Sequence, residues 1–110
     1  MWTRGLDTVT PEGRIKAKVK ALLKRHGIWY FYPFSFGAGS NGIPDIIAII
    51  RGRFVGIEVK RDAKAKLTAL QSRVAEQIRQ GGGLWLRVHD EGTLLQLATL
   101  IQGDYYDGHL

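Results

Sequence analysis

Two runs of β-branched and apolar residues, Ile46 to Ile50 and Phe54 to Val59, flank Arg51-Gly52-Arg53. That pattern predicts a β-hairpin whose short turn carries the glycine. Three charged residues interrupt the apolar run: Asp45, Glu58 and Lys60. Side chains alternate faces along a strand, so Glu58 and Lys60 share a face and Val59 points the other way. Antiparallel pairing through the turn brings Asp45 close to Glu58 and Lys60. Two carboxylates and an ammonium at one end of an apolar hairpin are costly unless something compensates, and a divalent cation would do so. The same residues also admit a plainer reading, in which Asp45 ends a turn and Glu58 with Lys60 forms an ion pair on an exposed sheet.

Upstream, Thr10-Pro11 predicts a helix start, with threonine as N-cap and proline at the first helical position. The helix is expected to run to about His26 and stop at Gly27. Its apolar stripe is Ile15, Val19, Leu22 and Leu23, with Arg14, Lys16, Lys18, Lys20, Lys24 and Arg25 over the remaining surface. Extending the stripe back three residues reaches Glu12 and sets it on the inward face. An acid there complements the helix dipole, and it is equally well placed to join a metal site. Ile28 to Phe36 is crowded with aromatic residues and predicts a strand that Pro33 limits to an edge. Core packing or a subunit interface is the first expectation for these rings, with stacking on unpaired bases as the alternative.

Downstream of Lys60, Arg61 to Lys66 is a polar, basic connector. A second helix is expected from Leu67-Thr68-Ala69-Leu70-Gln71 to about Gln80, with Thr68 and Gln71 spaced as a capping box. Leu84 to Val88 predicts a strand joined to the hairpin by this helical crossover. Glu91 to Gln102 predicts a third helix whose wide apolar face needs the core or another chain to cover it.

At 110 residues the chain is expected to form one domain spanning 1–110, with its core at about 10–102. It is 45% hydrophobic and 24% charged, which is a globular composition. The absence of cysteine excludes disulfides and thiolate zinc sites and suits a reducing, cytoplasmic setting. No apolar run reaches the length of a membrane span, and no signal-peptide h-region is present. A formal charge of +6 favours a polyanionic partner. Gly37 to Gly42 matches Gly-x-Gly-x-x-Gly, but proline and a β-branched run follow where a dinucleotide site requires a helix, so no nucleotide cofactor is expected. The glycines are better explained as a turn that lets backbone approach closely. His26, His89 and His109 lack metal-ligand spacing.

Phosphodiester hydrolysis needs a positioned water and relief of charge in a pentavalent transition state, which magnesium held by a few carboxylates supplies. Asp45 and Glu58 are the candidate ligands, with the Val59 carbonyl as a neutral oxygen and Glu12 completing the shell directly or through water. Lys60 would orient the water, aid its deprotonation or stabilise developing charge. Lys16, Lys18 and Lys20 on the helix, with Arg61, Lys64 and Lys66 in the connector, would contact phosphates.

Pro44-Asp45 followed by Glu58-Val59-Lys60 resembles the PD-(D/E)XK nuclease motif. The fuller set of Glu12, Ser40-Asn41-Gly42-Ile43-Pro44-Asp45, Glu58-Val59-Lys60 and Leu67-Thr68-Ala69-Leu70-Gln71 resembles the VRR-NUC family in its small stand-alone form, over roughly Pro11 to Val88. The resemblance implies an α/β, restriction-endonuclease-like αβββαβ core, a central mixed sheet flanked by helices, with an extra helix at the C-terminal end here. It implies Mg²⁺ or Mn²⁺ dependence, action on branched DNA such as four-way junctions, and a homodimer. It places Glu12, Asp45, Glu58, Lys60 and Gln71 at the active site, with Ser40 and Asn41 in the motif as DNA contacts. Two other functions fit: a non-catalytic nucleic-acid-binding module on the same fold, and the nuclease component of a restriction or recombination machine.

Overall fold

A computed structural model of the chain describes residues 10–34 and 41–103. Ser40 and most of the glycine run lie outside the described residues. Helix α1 (Pro11–Arg25) opens where Thr10 accepts from the Gly13 N–H at 2.9 Å, as the cap signal requires. Strands β1 (Trp29–Phe31), β2 (Ile46–Ile50) and β3 (Arg53–Val59) follow, then α2 (Ala69–Gln80), β4 (Leu84–Val88) and α3 (Glu91–Gln102). The four strands form one mixed sheet in the order β1-β2-β3-β4, antiparallel except for the parallel β3–β4 pair made by the α2 crossover. This is the αβββαβ core with the extra helix.

The hairpin turn is tighter than expected. Arg51 and Gly52 alone make it, with φ of 53° and 81°, and Arg53 already belongs to β3. Two left-handed residues in succession match the twist of the strands they join.

Alternation sorts the sheet into two faces. Ile46, Ala48, Ile50, Val55, Ile57 and Val59 point to one side and are buried with Val19 and Leu23 of α1 and Leu97 of α3. Ile47, Gly56, Glu58, Trp85 and Arg87 point to the other, where α2 lies. The wide face of α3 is covered within the chain: Leu97 and Leu100 are buried, Leu94, Ala98 and Ile101 pack on the core, and Leu95 stays exposed.

Two expectations need correction. Core packing is not the use of most aromatic side chains after α1. Trp29, Phe31, Tyr32 and Phe34 are exposed, and Tyr30 packs against the core. The reason is position: β1 is an edge strand, and only the face that carries Tyr30 meets the buried side, while Trp29 and Phe31 stand exposed on the other. Nor is Glu12 buried on the stripe. The buried residue of the first turn is Gly13, and Glu12 is exposed at the open end of the helix.

Candidate active site

Asp45 stands just before β2, and the register Ile46↔Ile57 sets it opposite Glu58. Its Oδ2 accepts the Val59 N–H at 2.8 Å, so the free end of the β2 ladder is closed by the carboxylate. Two glycines hold this loop in place. A methyl group on Gly56 would come within 2.8 Å of Pro44 Cγ, so Pro44 lies directly against the β3 backbone. One on Gly42, whose φ is 73°, would come within 2.6 Å of the Leu70 carbonyl oxygen, so the loop abuts the start of α2. The close-approach reading of the glycine run therefore holds at Gly42. The Gly56–Pro44 contact was not anticipated, although a lone glycine inside a strand is the usual sign of one.

Glu58 projects from β3 toward α2 and is 3% exposed. Its Oε2 accepts the Gln71 Nε2 at 3.1 Å and lies 4.0 Å from Lys60 Nζ. Lys60 Nζ donates to Gln71 Oε1 at 3.0 Å, and the same oxygen accepts the Thr68 N–H at 3.0 Å. Gln71 is thus both the third residue of the capping box of α2 and the link between the acid and the amine. The other carboxylate oxygen, Glu58 Oε1, is buried and has no hydrogen-bond partner.

The Glu58 carboxyl is pushed up to about 8, burial being the largest cause and the neighbouring Asp45 carboxyl the next, while Lys60 opposes and the Glu12 charge adds to the rise. Asp45 and Glu58 are therefore near neighbours, and the exposed Glu12 adds its charge to theirs.

Among the described residues, no three His, Cys, Asp or Glu side chains stand together as a ready-made ligand set. The Asp45–Glu58 pair nevertheless fits a hard divalent cation. An orphaned, buried carboxylate oxygen beside a second carboxylate is the kind of donor pair such an ion satisfies, and magnesium commonly uses one or two carboxylates with several waters.

The basic residues divide. Lys16 and Lys20, one turn apart, both lie over the Tyr32 ring, 5.6 and 5.9 Å from its centroid. Lys18 faces elsewhere and pairs with Glu91 of α3. The connector 61–66 is shaped by Asp62, whose Oδ1 accepts the N–H of Lys64 and of Ala65 at 2.9 Å each. Arg87 of β4, which the sequence reading left out, donates to the Asp62 and Ala65 carbonyls and pins the connector to the sheet. Arg61 lies 3.5 Å from Asp62, and Lys64 and Lys66 are exposed. Asn41 Oδ1 accepts the Ile43 N–H at 3.0 Å, a local turn on the approach to Asp45.

No family model and no curated protein matches the chain. A solved structure named "VRR_NUC domain" superposes with a TM-score of 0.72 at 27% sequence identity, over 89% of this chain and 100% of that one. The chain therefore shares the fold of a VRR-NUC domain, with Asp45, Glu58, Lys60 and Gln71 meeting at the end of its central hairpin, and this likeness supports the VRR-NUC family.

Proposed function

We propose that the protein is a metal-dependent endonuclease that hydrolyses phosphodiester bonds in branched DNA, four-way junctions in particular, as a homodimer in the cytoplasm. The observation that carries the reading is the buried, unpartnered Glu58 oxygen beside Asp45, with Lys60 tethered next to them. A protein that only binds DNA gains nothing from two acids set where phosphates must approach. That weighs against the non-catalytic alternative.

Hydrolysis forms a bond from water oxygen to phosphorus and breaks one ester bond, leaving a phosphate monoester and a hydroxyl. Mg²⁺ or Mn²⁺ would supply charge neutralisation and an acidified water. Asp45, fixed by the Val59 N–H, and Glu58, fixed by Gln71, are the residues that would hold it, with the Val59 carbonyl as a further oxygen and Glu12 acting through water. Lys60, held by Gln71 Oε1, sets a compact positive charge where the attacking water or the crowded phosphoryl oxygens would sit. Lys16, Lys20, Arg61, Lys64 and Lys66 serve phosphate contact, so binding is salt-sensitive and indifferent to sequence. Ser40, which lies outside the described residues, and Asn41, whose turn leads to Asp45, are further candidate DNA contacts.

The test is incubation of the purified protein with four-way junction, flap, single-stranded and linear duplex DNA in Mg²⁺, Mn²⁺ or EDTA. Symmetric, metal-dependent cuts in the junction support the reading. Binding without cleavage under every metal condition supports the non-catalytic module instead.

A further inference from the structure

The sheet face that carries Glu58 is covered over only part of its width. On the β3–β4 side α2 lies against it, with Ile78 close to Gly56 and the Arg79 guanidinium 5.2 Å from the Trp85 ring centroid. On the β1–β2 side it is open. Trp29 pairs across from Ile49, Ile49 from Phe54, and Phe31 from Ile47, so these side chains stand on one face. Trp29 is 61% exposed, and Phe31, Ile49 and Phe54 are each more than 40% exposed. The Trp29 and Phe31 rings adjoin with centroids 5.5 Å apart. Lone exposed apolar residues are ordinary, but four in register on one sheet face form a surface with a use.

We propose that this open face is a platform on which unpaired bases of the DNA substrate stack. The inference rests on the nuclease reading and deepens it: the favoured branched DNA is one in which nucleotides next to the cut site are unpaired or become so on binding. Three observations favour bases as the occupant. Flat π surfaces predominate, with Trp29, Phe31 and Phe54 around Ile49, and stacking on such rings is the general means of holding single strands. The platform also leads to the acids. Along β2 the same-face positions run Ile49, Ile47, Asp45, so Phe31, opposite Ile47, is one same-face step short of Asp45. A strand stacked on Trp29 and Phe31 has its backbone directed toward the carboxylates.

Charge is the third observation. Immediately past Phe31 the Tyr32 ring turns to the other side of the edge strand, packs with Tyr30 and carries Lys16 and Lys20, so two cations flank the sheet edge next to the platform. The net charge of +6 favours a polyanion on this face over a second copy carrying the same charge.

The experiment measures binding of the full chain in EDTA to a blunt duplex, to oligothymidine and to a duplex with a single-stranded tail, for wild type, Trp29→Ala, Phe31→Ala, Trp29→Leu and Trp29→Phe. Stacking predicts that Trp29→Ala and Phe31→Ala each weaken tail and oligothymidine binding on the order of tenfold and leave blunt-duplex binding unchanged. Trp29→Phe should retain affinity. Trp29→Leu, which keeps apolar area but no ring, should not. Equal loss on all DNAs, or no loss on any, overturns the platform. So does a dimer that becomes monomeric in the alanine variants while the preference for tails persists, which would assign the face to a second copy. Absence of binding to every DNA would instead bring down the nuclease reading itself.

Discussion

Gln71 donates its amide N–H to Glu58 Oε2 over 3.1 Å while its amide oxygen receives both the Thr68 N–H and Lys60 Nζ. One side chain therefore couples the start of α2 to the orientation of an acid and an amine on β3. Thr68→Ala removes only the cap and should cost about 1 kcal/mol of stability with cleavage nearly intact. Gln71→Ala should cost at least as much and also release Lys60 and Glu58, lowering cleavage on the order of a hundredfold. Denaturant melts and single-turnover cleavage of both variants separate the two roles. Equal cleavage in both would make Gln71 a cap alone.

The raised Glu58 pKa fixes the sign of a pH dependence. The unfolded chain loses this proton near the ordinary value of 4.5, and the folded chain keeps it to about 8. Between those limits the folded state binds more protons, so metal-free stability falls as pH rises through the window and levels off above it. The loss is on the order of a few kcal/mol. Glu58→Gln should flatten the profile and leave the protein more stable than wild type at pH 8 in EDTA. Thermal melts from pH 4.5 to 9 measure this. A wild-type curve that rises through the window would contradict the burial of an acid.

Lys16, Lys18 and Lys20 read alike in the sequence but do not form one patch. Lys16→Ala with Lys20→Ala should weaken DNA binding and reduce the slope of log affinity against log salt by about 2. Lys18→Ala should leave that slope unchanged and alter stability by less than about 1 kcal/mol, since its exposed pair with Glu91 contributes little. Salt titrations of binding in EDTA distinguish the two sets.

Gly56→Ala would push a methyl group into Pro44 and move Asp45 with it. The substitution should cost about 1–3 kcal/mol, as overpacking does, and reduce cleavage more than stability alone accounts for. Pro44→Ala in the same chain removes the Cγ contact and should restore part of both. A double variant no better than Gly56→Ala would show that the loop is not positioned through this contact.

Most of the architecture was readable because local rules and tertiary context agree. The alternation of Ile46–Ile50 and Phe54–Val59, with two left-handed residues between them, permits one register, and that register alone carries Asp45 to Glu58. The caps at Thr10 and Thr68 delimit the first two helices for the same reason. What was not readable depends on which surfaces meet. Alternation separates Trp29 and Phe31 from Tyr30, but does not reveal that α2 covers only one side of the face they share. Gln71 could not be assigned because its cap and its site contacts use the same amide. Glu12 lies along the α1 stripe in sequence, but its burial depended on whether anything shelters the first turn of the helix.

The central claim is that Asp45 and Glu58 hold one divalent cation between them. Calorimetric titration of Mn²⁺ into the DNA-free protein, repeated in buffers of different ionisation enthalpy, tests it most directly. One ion per chain with proton release at pH 7, lost in both Asp45→Asn and Glu58→Gln, is the predicted result. Unchanged Mn²⁺ binding in either variant would contradict it.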